Sequence, residues 1–377
     1  MEKNPLSYPG TPAEGPSSVE RVEFKCRGCG GLLEYAPGTK KLVCPHCGAE
    51  NAISGKREPV EEMDFDRFIA EHYASERKVE VVTVKCTFCG ASVTLRPNVT
   101  SDRCPYCAAD LILKNGTTSL LLKPSGVVPF CIDLGKAQGF FRDWIAGRWF
   151  APSDLKRRAT TGSLDGVYIP YWTYDAIAGT EYTGRRGTYY YVSETYTEME
   201  NGRPVSRVRQ VRHTQWNPAS GAVRNSFDDI LVPACRSLPD KYLYAMDSWN
   251  PKAVVPFAEE YLSGFRAQSY EVDLKDGLVI AKKLMEPEIL ETIRRDIGGD
   301  EQEVLATRSS YSDLRFKHIL LPLWISSYRY GGKVYRFLVN GQTGEIQGER
   351  PYSAIKIAFA ALGLLIAIII FLMLMKK

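Results

Sequence analysis

Eight of the ten cysteines fall into two sets of four. Cys26, Cys29, Cys44 and Cys47 recur as Cys86, Cys89, Cys104 and Cys107, each displaced by sixty residues. Each set reads C-x2-C, fourteen residues, then C-P-x-C. A C-x2-C turn brings two thiolates to one ion, and two such knuckles close a tetrahedral shell with no open position, which is the pattern of a structural zinc site. A unit of about 35 residues buries too little apolar surface to fold unaided, whereas structural zinc supplies roughly 10–16 kcal/mol in comparable peptides. The expectation is two tandem zinc ribbons and two Zn2+ per chain, with the eight cysteines as ligands. Disulfides are the competing use of such cysteines. Met1 to Arg21 carries four prolines and no charged segment leading into an apolar run, so no signal peptide is read there and a reducing compartment is expected. Iron in a rubredoxin-like site is the other rival, because sulfur ligands suit both metals.

The opposite end imposes a second constraint. Ile357 to Met375 is a run of nineteen apolar residues bounded by Lys356 and by Lys376 and Lys377. As a helix it is about 28 Å long, close to the ~30 Å hydrocarbon layer of a bilayer. A core helix with no polar face over five turns is unusual, so a single transmembrane helix is expected.

These features divide the chain into a disordered N-terminus (1–21), a first ribbon (22–54), a helical linker (55–80), a second ribbon (81–115), a β-rich body (116–353), and the membrane helix with its tail (354–377). The linker segment Pro59 to Arg77 places Val60, Met63 or Asp64, Phe68, Ile69 and Tyr73 near helical spacing. The fold class is α+β and multi-domain. In the body, helices are expected at Asp133–Gly147, Ser153–Arg158, Pro256–Arg266 and Leu274–Asp296, the last broken or kinked at Pro287. The clearest hairpin is Thr188–Gln215, where Asn201-Gly202 suits a two-residue turn. Such a turn sets Glu200 opposite Arg203 and Glu194 opposite Arg209, with Tyr190, Val192, Tyr196, Val205, Val211 and His213 on the same face as that last pair. Val128-Pro129-Phe130 is echoed by Val255-Pro256-Phe257, and Ile169-Pro170-Tyr171-Trp172 by Leu321-Pro322-Leu323-Trp324. Two related α+β subdomains are expected from these echoes.

Catalytic patterns are missing. The four histidines (His46, His72, His213, His318) form no metalloprotease motif, and there is neither a nucleophile elbow nor a phosphate-binding glycine loop. No catalytic or cofactor-binding residue is assigned, and a non-enzymatic role is expected. Asp228-Asp229 reads as a solvated strand end, since neighbours in a strand point to opposite faces. Arg203, Arg207, Arg209 and Arg212 read as cross-strand partners of glutamates. His46 reads as a solvent-facing knuckle side chain, matched by Tyr106 in the second ribbon, and Cys131 and Cys235 are given no role.

Charge argues against nucleic acid. The chain carries a formal +4, which two four-thiolate zinc centres would cancel, and residues 1–115 hold 15 basic and 16 acidic side chains. Binding would need a local patch such as Lys25, Arg27, Lys40 and Lys41, while the second ribbon offers only Lys85, Arg96 and Arg103. Protein partners rank above nucleic acid.

With both ribbons, the V-P-F and I-P-Y-W strings, the Val339-Asn340-Gly341-Gln342-Thr343-Gly344 strand-turn and the terminal apolar helix in this order, the chain resembles a bacterial family. These are double-zinc-ribbon membrane proteins encoded beside SPFH-domain (virion-core-like) and phage-shock protein A-like proteins. The ribbons alone resemble those of transcription factor IIB and RNA polymerase subunits, which points to the alternative of a transcription- or replication-related nucleic-acid-binding protein. The family resemblance implies a docking or recruiting protein at the cytoplasmic membrane during envelope stress. Its ribbons and body would lie in the cytoplasm, anchored by the C-terminus in a single pass, and only the eight cysteines carry over a role.

Overall fold

The computed structural model describes residues 23–53, 60–71, 78–93, 101–107, 109–112, 116–152, 164–200, 203–330 and 333–375. The expected disordered N-terminus, the Ser153–Arg158 helix, Tyr73, Arg96 and the Asn201-Gly202 turn lie outside them. The first ribbon is a small antiparallel sheet of β1 (Glu34–Tyr35), β2 (Lys41–Val43) and β3 (Glu50–Ala52). After β4 (Met63–Asp64), α1 (Phe65–Glu71) buries Phe65 and Phe68, with Asp64 Oδ1 accepting from the Arg67 amide at 2.8 Å. The linker is therefore less helical than expected: Met63 and Asp64 extend to pair with Phe316 and Arg315 before the helix begins.

The second ribbon comprises β5 (Lys78–Lys85), β6 (Ser92–Val93), β7 (Ser101–Arg103) and β8 (Asp110–Ile112). Its sheet is completed by β9 (Gly116–Leu122), which pairs with β5 as far as Leu122 against Lys78. The ribbon's pairing thus runs past residue 115 into the body.

The body is built on a nine-stranded sheet. Its elements are β10 (Gly126–Val127), α2 (Leu134–Ala146), β11 (Asp165–Glu200), β12 (Arg203–Pro233), α3 (Asp240–Ala245), β13 (Val255–Pro256), β14 (Arg266–Ala267), α4 (Leu274–Ile297), β15 (Glu301–Tyr330), β16 (Lys333–Asn340) and β17 (Ile346–Gly348). A further helix, α5 (Ala354–Met375), follows. The spine runs β12, β11, β15, β10, β13. Tyr, Val, Ile and Trp in alternation make the strands, and three buried clusters fill the space between sheet, helices and ribbons.

Helix α2 starts where expected, with Asp133 accepting from the Lys136 amide and Gly147 closing the other end. Helix α4 passes through Pro287 without a break. Its Leu274, Leu278, Met285, Ile289, Ile293 and Ile297 are buried, and at roughly 1.5–3 kcal/mol each they outweigh the ~3 kcal/mol cost of an internal proline. Pro287 and Lys283 lie on the exposed side, where water can serve the carbonyl that proline leaves free. The helix expected at Pro256–Arg266 does not form. Val255 and Pro256 pair with β10, a single 3-10 turn spans Glu259–Leu262, and Gly264 at φ 87° turns the chain into β14. Tyr261 and Phe265 are drawn instead onto Tyr35 of the first ribbon, with ring centroids 5.2 and 6.2 Å away.

The hairpin is longer than expected, because β11 and β12 pair from Tyr171–Pro233 out to Glu200–Arg203. Its register is the one the turn length dictates. Glu194 faces Arg209 with 3.0 Å between Oε2 and Nη2, Val192 faces Val211, and Tyr190 stacks on His213 at 5.5 Å.

The body contains two similar sets of contacts, and one of the two sequence echoes, Ile169-Pro170-Tyr171-Trp172 with Leu321-Pro322-Leu323-Trp324, falls on them while the other does not. Ile169 pairs with Leu321, so the two proline strings run antiparallel to each other. The Val128 amide donates to Leu320 O and the Gln268 amide to Tyr168 O, both at 2.9 Å. Trp172 Nε1 donates to Val272 O and Trp324 Nε1 to Ile132 O, again both at 2.9 Å. Asp133 caps α2 and Asp273 caps α4. The counterpart of Val128-Pro129-Phe130 is therefore Gln268-Ser269-Tyr270, and Val255-Pro256 is a pairing strand for β10 rather than its copy.

Candidate metal centres

Each knuckle is shaped by main-chain bonds that leave its sulfurs facing inward. In the first ribbon the Cys26 amide donates to Gly31 O and the Gly30 amide to Cys26 O, and Cys44 repeats this with Ala49 and Gly48. Gly30 and Gly48 sit at φ 74° and 73°, which closes the turn at no steric cost. In the second ribbon Cys86 pairs with Ala91 and Gly90, and the Cys104 amide donates to Ala109 O.

The structure gathers all eight predicted cysteines into two clusters, in each of which the four sulfurs lie within 4.8 Å of one another. Cys26–Cys47 and Cys29–Cys44 are 3.5 Å apart, and Cys86–Cys107 and Cys89–Cys104 3.6 Å. A tetrahedron with metal–sulfur bonds of about 2.3 Å has edges of about 3.8 Å, so both clusters fit one metal ion. In the second cluster the crowded thiols compete for a proton. Cys89 is held down to about 5 by the hydrogen bond from Cys104, while Cys104 is pushed above the ordinary thiol range by that same bond and by burial. A central cation removes this competition and lets every sulfur ionise.

The two centres differ in setting. Cys29 and Cys47 are exposed, as are residues 27–30 and 45–48 around them, including His46. In the second ribbon Cys86, Cys104 and Cys107 are buried, and Tyr106, at the place of His46, is 0% exposed. Tyr106 Oη donates to Gln268 Oε1, and Arg336 Nε donates to Tyr106 O at 2.9 Å. Arg266, 3% exposed, donates to Arg103 O and pairs with Asp102 at 2.6 Å and Asp165 at 3.6 Å. Both ribbons pack into core clusters that draw on both halves of the body. The Gly38 amide of the first donates to Phe130 O, and the second meets Gln268 and Ser269 through Val93 and Ser92.

Outside these centres, Cys131 is exposed and Cys235 is buried, its thiol pushed up to about 12 by that burial. Arg207 bonds to Glu198 and Glu200, and Arg212 lies 4.3 Å over the Tyr189 ring, so the arginine row serves its own hairpin. His318 is buried against Trp172 and pushed down to about 4 by burial.

Asp228-Asp229 does not obey the strand alternation. A bulge lies opposite Asp175, Asp229 takes φ 52°, and its amide donates to Asp175 Oδ1 at 2.6 Å. Asp228 joins Glu62 and Asp175 in a carboxylate cluster, while Lys317 Nζ reaches Asp229 at 2.6 Å and Glu62 at 3.1 Å. Burial pushes Asp175 up to about 6. Lys317 and Arg315, the latter 3.6 Å from Glu62, supply the positive charge of this cluster. The adjacent aspartates were its only trace in the sequence.

No family model matches the chain, and no solved structure matches it. It is similar to the uncharacterized protein YdjG of Bacillus subtilis (strain 168), 23% identical over 345 residues that cover 89% of this chain and 92% of that protein. The chain is a distant homologue of that protein, with two four-cysteine clusters consistent with zinc ribbons.

Proposed function

We propose that the protein is a membrane-anchored zinc-ribbon adaptor that recruits protein partners to the cytoplasmic membrane. The observation that carries this reading is the unequal exposure of the knuckles of two similar ribbons, both of which pack into core clusters of the body. The second is fastened into the body on its Tyr106 knuckle, whereas the first turns its 27–30 and 45–48 knuckles to solvent. A metal-fixed surface that the fold does not use for itself suits a partner. Zinc is the ion of choice for four thiolates with no open position, which gives it a structural role.

The anchor is α5, 22 residues long and about 33 Å as a helix, apolar from Ile357 to Met375 and with none of its residues buried in the body. Such a helix needs a bilayer to cover it. Within the first ribbon Lys41 pairs with Glu50 at 2.6 Å and Lys25 with Glu23 at 3.7 Å. Two of the four candidate cations for a nucleic-acid patch are thus engaged, which favours a protein partner. The family resemblance makes an SPFH-domain or phage-shock protein A-like protein the first partner to try, in an envelope stress response.

Removing residues 1–115 would strip Cys86, Cys104, Tyr106 and Leu111 from a body core cluster, so the test uses substitutions. Full-length Arg27→Glu/His46→Glu should keep two zinc per chain and its place in the membrane. In crosslinked pull-downs from intact membranes it should lose the partner that the wild type retains. Undiminished capture would move docking into the body. Salt-sensitive retention on DNA that the same variant abolishes would put the nucleic-acid reading in its place. Iron–thiolate absorption in the purified protein would overturn zinc.

A further inference from the structure

We propose that the body makes a second contact with the bilayer, an interfacial collar beside the start of α5. There Trp149 and Tyr352 lie among the lipid headgroups, and Arg148, Arg350 and Lys356 take the phosphates of anionic lipids. The proposal rests on the reading of α5 as a membrane anchor.

The fold joins two distant segments at this point. The Ser353 amide donates to Phe150 O at 2.8 Å, and Lys356 Nζ donates to Ala151 O at 2.7 Å. The turn after α2 is thereby tied to the first turn of α5. Lys356 is the last charged residue before the apolar run begins at Ile357. A lysine at that position keeps its ammonium at headgroup level, and the atom that holds the ammonium lies at the same level. Ala151 is therefore at the membrane surface, with Trp149 and Phe150 beside it in the chain.

The side chains displayed there suit that depth. Trp149 is 64% and Tyr352 61% exposed, a poor arrangement in water for two large rings. Trp149 packs edge-on against Phe150 with centroids 5.2 Å apart, so the two form one apolar projection. Tryptophan and tyrosine concentrate at membrane–water interfaces because they combine an apolar ring with a polar edge. The Arg350 guanidinium sits 5.2 Å over the Tyr352 ring and that of Arg148 5.1 Å over Trp144. Both are held on aromatic faces beside the helix start, and together with Lys356 they make the collar positive. Its charge complements anionic headgroups.

The test places full-length protein in nanodiscs whose lipids carry bromine near the headgroup, made of phosphatidylcholine alone or with phosphatidylglycerol, and reads tryptophan emission. Wild type should be quenched, and more strongly with phosphatidylglycerol. Trp149→Phe should lose most of that quenching, and Arg148→Glu should lose the gain brought by phosphatidylglycerol. Equal quenching of wild type and Trp149→Phe, in protein that enters the discs, overturns the collar and leaves the anchor standing. Failure of the wild type to enter discs or to float with liposomes overturns the anchor itself.

Discussion

Ile169 and Leu321 lie directly opposite each other in the antiparallel pair of β11 and β15, each the first residue of its proline–aromatic string. About this pair the two halves of the body exchange support. The tryptophan in the strand of each half donates to the carbonyl that precedes the other half's helix cap, Trp172 to Val272 and Trp324 to Ile132. Each half thus holds the carbonyl that precedes the other's helix cap, so the two should fold as one unit.

Trp172→Phe and Trp324→Phe each remove one of these donors and leave a carbonyl of the other half unpaired. A loss of about 1–3 kcal/mol is expected from either, and more when both are changed. Chemical denaturation of the detergent-solubilised protein measures it. The two singles should lower the same cooperative transition; two separate transitions would contradict the mutual support.

What could be read in the sequence was what depends on short-range rules. Cysteine spacing fixed the two clusters, the two residues between Glu200 and Arg203 gave the register that sets Glu194 opposite Arg209, and Asp133 with Gly147 marked both ends of α2. The repeat of contacts was visible at Ile169 and Leu321 because both strings keep proline and tryptophan. It was mistaken at Val128, where what repeats is a main-chain bond from residues as unlike as valine and glutamine. The carboxylate cluster stayed hidden because a bulge at Asp175 undoes the alternation on which Asp228-Asp229 was judged. The docking of the second ribbon needs Arg266 and Gln268 from far along the chain, which no local pattern announces.

Asp175 predicts a pH dependence with a definite sign. Burial raises its carboxyl from 3.8 to about 6 in the folded protein. Between these values the folded state holds a proton that the unfolded chain has released, so this group's contribution falls as pH rises through that window. The full cost, up to about 3 kcal/mol, applies above about pH 6. Asp175→Asn can still accept from the Asp229 amide and removes the titration. It should stabilise the protein at pH 8 and give little at pH 4, as followed by denaturant midpoints across that range. A gain independent of pH would refute the assignment.

Arg266 fastens the second ribbon through Asp102 while also facing Asp165. Arg266→Met leaves two partly buried carboxylates without their cation and should cost about 3 kcal/mol or more. Adding Asp102→Asn and Asp165→Asn to the same chain should recover part of the loss. Faster zinc release from the second ribbon to a chelator, with the first unchanged, would show that the effect acts through docking.

The unequal setting of the two ribbons makes equivalent cysteines unequal in consequence. Cys47→Ser and Cys107→Ser each remove one ligand from a four-sulfur shell, so each should lower the zinc content from two per chain toward one. Cys47 is exposed on a knuckle that faces solvent. Its loss should loosen the first ribbon and, because Cys26 and Cys44 of the same shell share a core cluster with Tyr168 and Trp324, lower the body's stability by about 1 kcal/mol, less than at the buried Cys107. Cys107 is buried in a core cluster with Val128, Val167 and Ile319. Releasing the ion there puts an unpaired thiol and a freed knuckle against the sheet, and a loss of about 2 kcal/mol or more is expected. Zinc analysis paired with amide hydrogen exchange separates the two. Faster exchange in the Cys107 variant should spread to β11 and β15, and exchange confined to the second ribbon would show that the body does not depend on its metal.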